Sequence, residues 1–181
     1  MKKAVCILIA VLLGVSLTNA SAQAKPANGA AETAVYTLQG SPVPVEFAYP
    51  AQCAIEDEGS IGVIVRLDEN NYVSVCVPRE GMSGTAQLAE NIGDLPAIRV
   101  LQNGLHAYAL HGDPGHRRPG VDIVTAGIDL EDGTGLILNA EAEYGCTEIY
   151  PVLLTVLSSV TDAAAFDEWL NAEWLPGLLP Y

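Results

Sequence analysis

Positive charge is scarce in this 181-residue chain, which has 8 Lys and Arg against 22 Asp and Glu and a net charge of −14. Nucleic acids and anionic membranes are bound through basic patches, so neither is an expected partner. Lysine occurs only at Lys2, Lys3 and Lys25. A lysine Schiff base, a P-loop and a Ser-x-x-Lys pair are therefore excluded from the folded part. The acidity favours solubility, or a protein partner with a basic surface.

Sequence signatures of catalysis and metal binding are also missing. The chain has no Cys-x-x-Cys, Gly-x-Ser-x-Gly, His-Glu-x-x-His or Gly-x-Gly-x-x-Gly, the motifs of common redox, hydrolytic, zinc and dinucleotide sites. Acidic clusters occur at residues 56–58, at 68–69 and at Asp129, Glu131 and Asp132. They lack the spacing of a calcium loop and are interpreted as solvated turns. No metal and no cofactor is predicted, although a site assembled from distant residues stays open.

The first residues have the layout of a secretory signal peptide. Lys2 and Lys3 precede an apolar run at residues 4–15, and small residues follow at 20–24. This pattern predicts a signal peptide at 1–22, cleaved after Ala22 or alternatively after Ala24. The run is shorter than the ~20 residues of a lasting membrane span. We expect a secreted, periplasmic or cell-envelope protein, whose mature form keeps six basic and all 22 acidic residues, a net charge of −16.

Cysteine usage changes with the predicted cleavage. Cys6 leaves with the signal peptide, and Cys53, Cys76 and Cys146 remain. An oxidising compartment allows one disulfide among these three candidates, and the sequence leaves the pairing open. The alternative is that all three are small buried thiols.

The hydrophobic pattern predicts a spacer at 23–35 and a single α+β domain at 36–181. Period-two alternation predicts strands at residues 43–49, 61–67, 73–77, 97–101, 105–110, 124–130 and 136–142. Helical spacing predicts helices at 84–95, at 150–160 and from 161 to Pro176. Thr85 is the expected N-cap of the first helix. The short loops indicate an antiparallel sheet of about seven strands packed with helices. Trp169 and Trp174 are interpreted as core or, alternatively, as a partner-binding face.

Register is predictable for two hairpins, because cross-strand partners must share a face. A three-residue loop at 69–71 would pair Val65 with Val75. A loop around residues 131–133 would pair Ile128 with Leu136, with Gly133 in the left-handed conformation.

All three histidines, His106, His111 and His116, fall within eleven residues. Histidine and carboxylate side chains are zinc ligands. However, His106 and His111 are five residues apart, which places them on opposite faces of one strand. A metal site is therefore not expected.

A long polar loop after residue 110 is the best candidate for a ligand site. It contains His111, Asp113, His116, Arg117 and Arg118. Adjacent arginines on an acidic protein suit a carboxylate or a phosphate group, and loops concentrate function.

The segment Val-Glu-Phe-Ala-Tyr-Pro at residues 45–50 resembles the opening of the PsbP-like superfamily, which includes many secreted bacterial proteins. The order of predicted elements over residues 43–160 is also similar, with strands, a helix, more strands and a closing helix. The resemblance implies an α/β/α sandwich without a built-in active site and a function in binding or assembly. It transfers no functional residue.

These observations favour a secreted or periplasmic, non-catalytic binding or accessory protein of unknown specificity. One alternative is an inhibitor or immunity-type protein that binds a basic partner. The other, less favoured, is a metal-dependent or hydrolytic enzyme that uses residues 106–122.

Overall fold

The computed structural model describes residues 32–39, 44–59, 62–92, 98–102, 104–112, 120–131 and 133–178. The predicted signal peptide and residues 23–31 of the predicted spacer lie outside these ranges. The first strand begins at Thr33, so residues 33–35, the end of the predicted spacer, already belong to the fold. Within the described ranges, no helix combines the length and apolar character needed to span a bilayer.

Within the described ranges, nine strands build two antiparallel sheets. They are β1 (Thr33–Leu38), β2 (Val45–Pro50), β3 (Ala54–Asp57), β4 (Gly62–Arg66), β5 (Tyr72–Cys76), β6 (Arg99–Gln102), β7 (Leu105–Leu110), β8 (Val121–Asp129) and β9 (Gly135–Glu143). The main sheet has seven strands in the order β3-β4-β5-β9-β8-β7-β6, and β1 pairs with β2 in a separate hairpin. The predicted α+β fold with a seven-stranded antiparallel sheet is confirmed.

Helical segments follow β5 and β9. They are α1 (Gly84–Ile92), α2 (Ile149–Val160), α3 (Ala164–Trp169), a π-helical turn (Leu170–Trp174) and α4 (Leu175–Leu178). Helical backbone continues through Pro176, which was expected to end it. Proline has no N–H to donate to a helix, and the backbone just before Pro176 is a π-helical turn in which the Leu175 N–H bonds to the Leu170 oxygen.

Helices cover both faces of the main sheet. Alternate side chains of β8, such as Val124 and Ala126, join the main core with Leu153 of α2. Gly127 points the other way, because successive strand residues face opposite sides, and it lies against Leu88 of α1. The core between the sheet, α2 and the C-terminal helices also contains Trp169 and Trp174, which confirms the interpretation of these tryptophans as core.

The predicted register is confirmed for one hairpin and wrong for the other. Ile128 pairs with Leu136, and Gly133 has a φ of 82°. Val65, however, pairs with Val73 rather than Val75. The turn is centred one residue earlier than predicted, because the Asp68 carboxylate accepts the backbone N–H groups of residues 70 and 71, at 2.9 and 3.0 Å, and the Leu67 N–H bonds to the Asn71 oxygen at 3.0 Å. A shift of two residues keeps every side chain on its predicted face.

Candidate functional site

The predicted loop site is only partly visible. Asp113, His116, Arg117 and Arg118 lie outside the described residues, so their ligand-binding role stays a prediction. His111 directly follows β7 and is described. Among the residues that the structure covers, no group of three His, Cys, Asp or Glu side chains is arranged to hold a metal ion.

His111 belongs to a packed cluster on the core face. Its ring stacks on Trp174, with centroids 3.4 Å apart and planes within 1°. The indole Nε1 of Trp174 donates to the hydroxyl of Tyr150 at 2.8 Å. His106 instead pairs with Gly127 in the ladder, on the α1 side of the sheet, so the prediction of opposite faces is confirmed.

Asp122 organises this cluster from a fully buried position, with 1% exposure. Its two carboxylate oxygens accept the backbone N–H groups of Gly112 at 2.9 Å and Gly145 at 3.0 Å. The Nδ1 atom of His111 lies 3.6 Å from Asp122 Oδ1, too far for a hydrogen bond. Burial raises the pKa of Tyr150, and the nearby negative charge of Asp122 adds to the increase. These contacts tie the end of β7 to the turn after β9, which is a structural role.

The three disulfide candidates, Cys53, Cys76 and Cys146, are all free thiols. Cys53 is part of the main core and Cys146 packs against it. Cys76 lies on the opposite face of the sheet, beside α1. The sheet therefore separates Cys76 from the other two thiols, a separation that residue spacing does not reveal.

A groove of about 550 Å³ lies between α1 and the sheet, and we call it the α1 groove. Side-chain amides, hydroxyls and apolar groups share its lining. The residues are Ser74, Cys76, Val77, Arg79, Gln87, Leu88, Asn91, Ile92, Tyr108, Thr125, Ile137 and Asn139. The groove exists because α1 covers only part of this sheet face.

Three glycines set the position of α1. Gly84 begins the helix and lies against Gly127 and Gly135 of the β8–β9 hairpin. A Cβ atom on Gly127 would lie 2.6 Å from the Gly84 carbonyl oxygen and 2.9 Å from Leu88 Cβ. Backbone therefore packs directly on backbone, and the start of the helix is held close to the sheet.

Asp129 fixes the same end of α1. Its carboxylate accepts the backbone N–H of Thr85 at 2.9 Å and the Thr85 hydroxyl at 2.7 Å. Ser83, not Thr85, caps the helix, since its hydroxyl accepts the N–H of Ala86 at 3.2 Å. Asp129 was expected in a solvated turn and instead anchors a helix, because α1 is brought to it from 44 residues away.

The Asp129 anchor is expected to depend on pH. Burial opposes the charged carboxylate, but hydrogen bonds from Thr85 and Ser83 outweigh it and lower the pKa of Asp129. A lowered folded-state pKa contributes stability that is complete above the unfolded-state pKa of about 3.9 and is lost as the pH falls through the folded-state value. Urea unfolding should show the wild type more stable than Asp129→Asn at neutral pH, with the difference vanishing in strong acid. A difference independent of pH would contradict this assignment.

Hydrogen bonds orient the helix wall of the α1 groove. The Oε1 atom of the buried Gln87 accepts from the backbone N–H and from Nε of Arg79, at 3.2 and 3.0 Å. The Gln87 amide then donates to Asn91 Oδ1 at 2.7 Å. Arg79 also pairs with Glu90 at 2.6 Å, so its charge is already matched.

Hydrogen bonds also order the floor of the α1 groove, which the main sheet forms. The Thr125 hydroxyl donates to Asn139 Oδ1 at 2.7 Å, and the Asn139 amide donates to Glu141 at 3.0 Å. Glu141 also accepts the hydroxyl of Tyr72 at 2.6 Å. The amide of Asn139 therefore has one preferred orientation, which fixes the polar groups presented to the groove.

The lining of the α1 groove differs from the rest of this acidic chain in its content of charged residues. Among the described lining residues there is no Asp or Glu, although the chain has 22 of them. Arg79 is the one charged lining residue in that described set. The groove therefore presents uncharged hydrogen-bonding groups beside apolar ones, which suits an uncharged polar ligand.

No protein-family model, curated protein or solved structure matches the chain. The resemblance to the PsbP-like superfamily stays a prediction. The groove itself was not predicted from the sequence. Polar residues at Ser74 and Thr125, each between apolar neighbours in its strand, were the available signal, but it is the pairing of both β5 and β8 with β9 that brings them together.

Proposed function

We propose that the protein is a non-catalytic binding protein, secreted or periplasmic, that holds a small uncharged polar ligand in the α1 groove. The observation that carries the proposal is the carboxylate-free lining among the described residues of this acidic chain. The volume of about 550 Å³ falls within the range of about 300–1,000 Å³ that is usual for small-molecule sites.

Pre-orientation of the lining supports binding. The amides of Gln87 and Asn139 are each held by hydrogen bonds from neighbouring side chains. A ligand that uses them would not have to order these side chains first, which lowers the entropic cost of binding.

The chemistry of the lining disfavours catalysis. General acid–base catalysis most often uses His, Asp or Glu side chains close to the reacting atoms, and no described lining residue is one of these. Cys76 is a potential nucleophile, but burial raises its pKa, which favours the unreactive thiol.

The location is part of the proposal and rests on the N-terminal pattern. Export would remove residues 1–22, so the protein recovered outside the cytoplasm should begin at Gln23, or at Lys25 if cleavage follows Ala24. Mass spectrometry of cell fractions measures this directly. An intact chain that begins at Met1 and stays in the cytoplasm would contradict the proposed location.

Binding in the α1 groove is tested by native mass spectrometry of the protein purified from its own cells. We expect a non-covalent small-molecule adduct on the wild type. Thr125→Val keeps the side-chain shape but removes the hydroxyl that orients Asn139, so it should weaken binding about five- to tenfold.

Thr155→Val is the matched control, because the Thr155 hydroxyl lies away from the α1 groove and bonds within α2, to the Pro151 oxygen at 2.7 Å. It should retain the adduct at the wild-type level. Equal adduct on both variants would place the ligand elsewhere, and no adduct on the wild type would contradict the proposed function.

A further inference from the structure

A straight row of polar side chains crosses the floor of the α1 groove. Tyr108 pairs with Thr125, Thr125 with Asn139, and Asn139 with Ser74. These residues belong to four adjacent strands, β7, β8, β9 and β5. We call them the cross-strand row. Adjacent strands lie about 4.8 Å apart, so the row presents a hydroxyl or an amide at each such step.

Resting on the proposed function, we infer that the ligand of the α1 groove is a linear, uncharged oligosaccharide that lies along the cross-strand row. A pyranose ring in a linear chain advances by about one inter-strand step, so successive sugars would meet successive side chains. An extended peptide advances about 3.3 Å per residue and falls out of step with the row.

The chemistry of the row matches sugar hydroxyls. Each sugar hydroxyl both donates and accepts hydrogen bonds. The hydroxyls of Thr125 and Ser74 already donate to Asn139, at 2.7 and 3.4 Å, so they would accept from a sugar hydroxyl, and the Asn139 amide, which gives one N–H to Glu141, keeps its second N–H to donate. The apolar wall beside the row, which includes Leu88, Ile92 and Ile137, suits the C–H faces of the rings. Tyr108 adds an aromatic ring at one end.

Charge disfavours the other small polar ligands. A nucleotide or a sugar phosphate needs a free cation, but the guanidinium of Arg79 is already paired with Glu90. The chain as a whole carries a net charge of −14 and repels anions. A cationic ligand lacks a carboxylate partner among the described lining residues. An uncharged ligand needs neither a free cation nor a carboxylate partner.

The test is titration with linear oligosaccharides of glucose and of N-acetylglucosamine, from two to six rings, followed by calorimetry and by the NMR shift of the Asn139 side-chain amide. Affinity should rise at least tenfold between two and four rings and then level off, since the row has four members. Asn139→Leu and Ser74→Ala should each reduce tetrasaccharide affinity about tenfold, and Thr155→Val should leave it unchanged. Thermal unfolding checks that the variants are folded.

Two results would overturn the inference. The first is that no tetrasaccharide shifts the Asn139 amide at millimolar concentration. The second is that affinity for the sugars does not depend on ring number. If native mass spectrometry still finds an adduct of another chemical class that Thr125→Val weakens, the proposed function stands and only the oligosaccharide is wrong. If neither sugars nor adducts are found, both proposals fail.

Discussion

Replacing Gly127 by alanine should destabilise the protein by about 3 kcal/mol, near the upper end for overpacking a core. The new methyl group would lie 2.6 Å from the Gly84 carbonyl oxygen and 2.9 Å from Leu88 Cβ. Backbone atoms of both the sheet and α1 would have to move, since the contact involves no flexible side-chain end. Urea unfolding measures the free energy of unfolding of the wild type and the variant. Loss of α1 packing would also open the α1 groove.

Gly133→Ala is the matched control for this substitution. Gly133 has a φ of 82°, and a Cβ atom there would meet nothing within 4 Å. Only the left-handed backbone conformation is penalised, which costs about 1 kcal/mol. Gly127→Ala should therefore lower the free energy of unfolding clearly more than Gly133→Ala. Equal losses would mean that α1 does not pack on the sheet through these glycines.

Asp122→Ala should cost about 3 kcal/mol, because it removes a buried carboxylate and leaves two backbone N–H groups without their acceptor. Those groups belong to Gly112 and Gly145, and Asp122 joins the two segments that contain them. Asp122→Asn keeps one carbonyl oxygen as an acceptor and should lose less stability than Asp122→Ala. Denaturant unfolding monitored by tryptophan fluorescence suits this variant, since Trp174 lies in the same cluster.

Glu80→Ala provides the control for loss of a carboxylate from the surface, because Glu80 is exposed in the turn before α1. It should change stability by less than about 0.5 kcal/mol. If Asp122→Ala were as mild as Glu80→Ala, the two backbone hydrogen bonds would not contribute as described. Neither variant changes the lining of the α1 groove, so both should keep ligand binding when folded.

Local periodicity predicted much of the fold. The alternation in β8 and β9 identified the core-facing residues, and Gly133 with its odd-length loop specified the pairing of Ile128 with Leu136. Such predictions succeed because one face of each strand is buried and the turn is short. The spacing of His106 and His111 predicted opposite faces for the same reason.

Predictions failed where hydrogen bonds, an exposed strand or the strand order decide the structure rather than hydrophobic periodicity. Asp68 moves its hairpin turn one residue earlier through hydrogen bonds to residues 70 and 71, which periodicity alone does not reveal. β3 was missed because only one large apolar residue, Ile55, interrupts its exposed positions. The α1 groove depends on the strand order β5-β9-β8-β7, which brings together residues that are far apart in sequence.

The most direct test of the central claim, that the α1 groove binds a small uncharged polar ligand, is the rate at which Cys76 is alkylated by iodoacetamide at alkaline pH, where a thiol whose pKa is raised by burial forms the reactive thiolate. Cys76 lines the groove, whereas Cys146 packs against the core on the other face and serves as the internal control. The small-molecule fraction of the cell envelope should slow the alkylation of Cys76 and leave that of Cys146 unchanged, and Thr125→Val should weaken this protection. Equal rates for Cys76 with and without that fraction would contradict the claim.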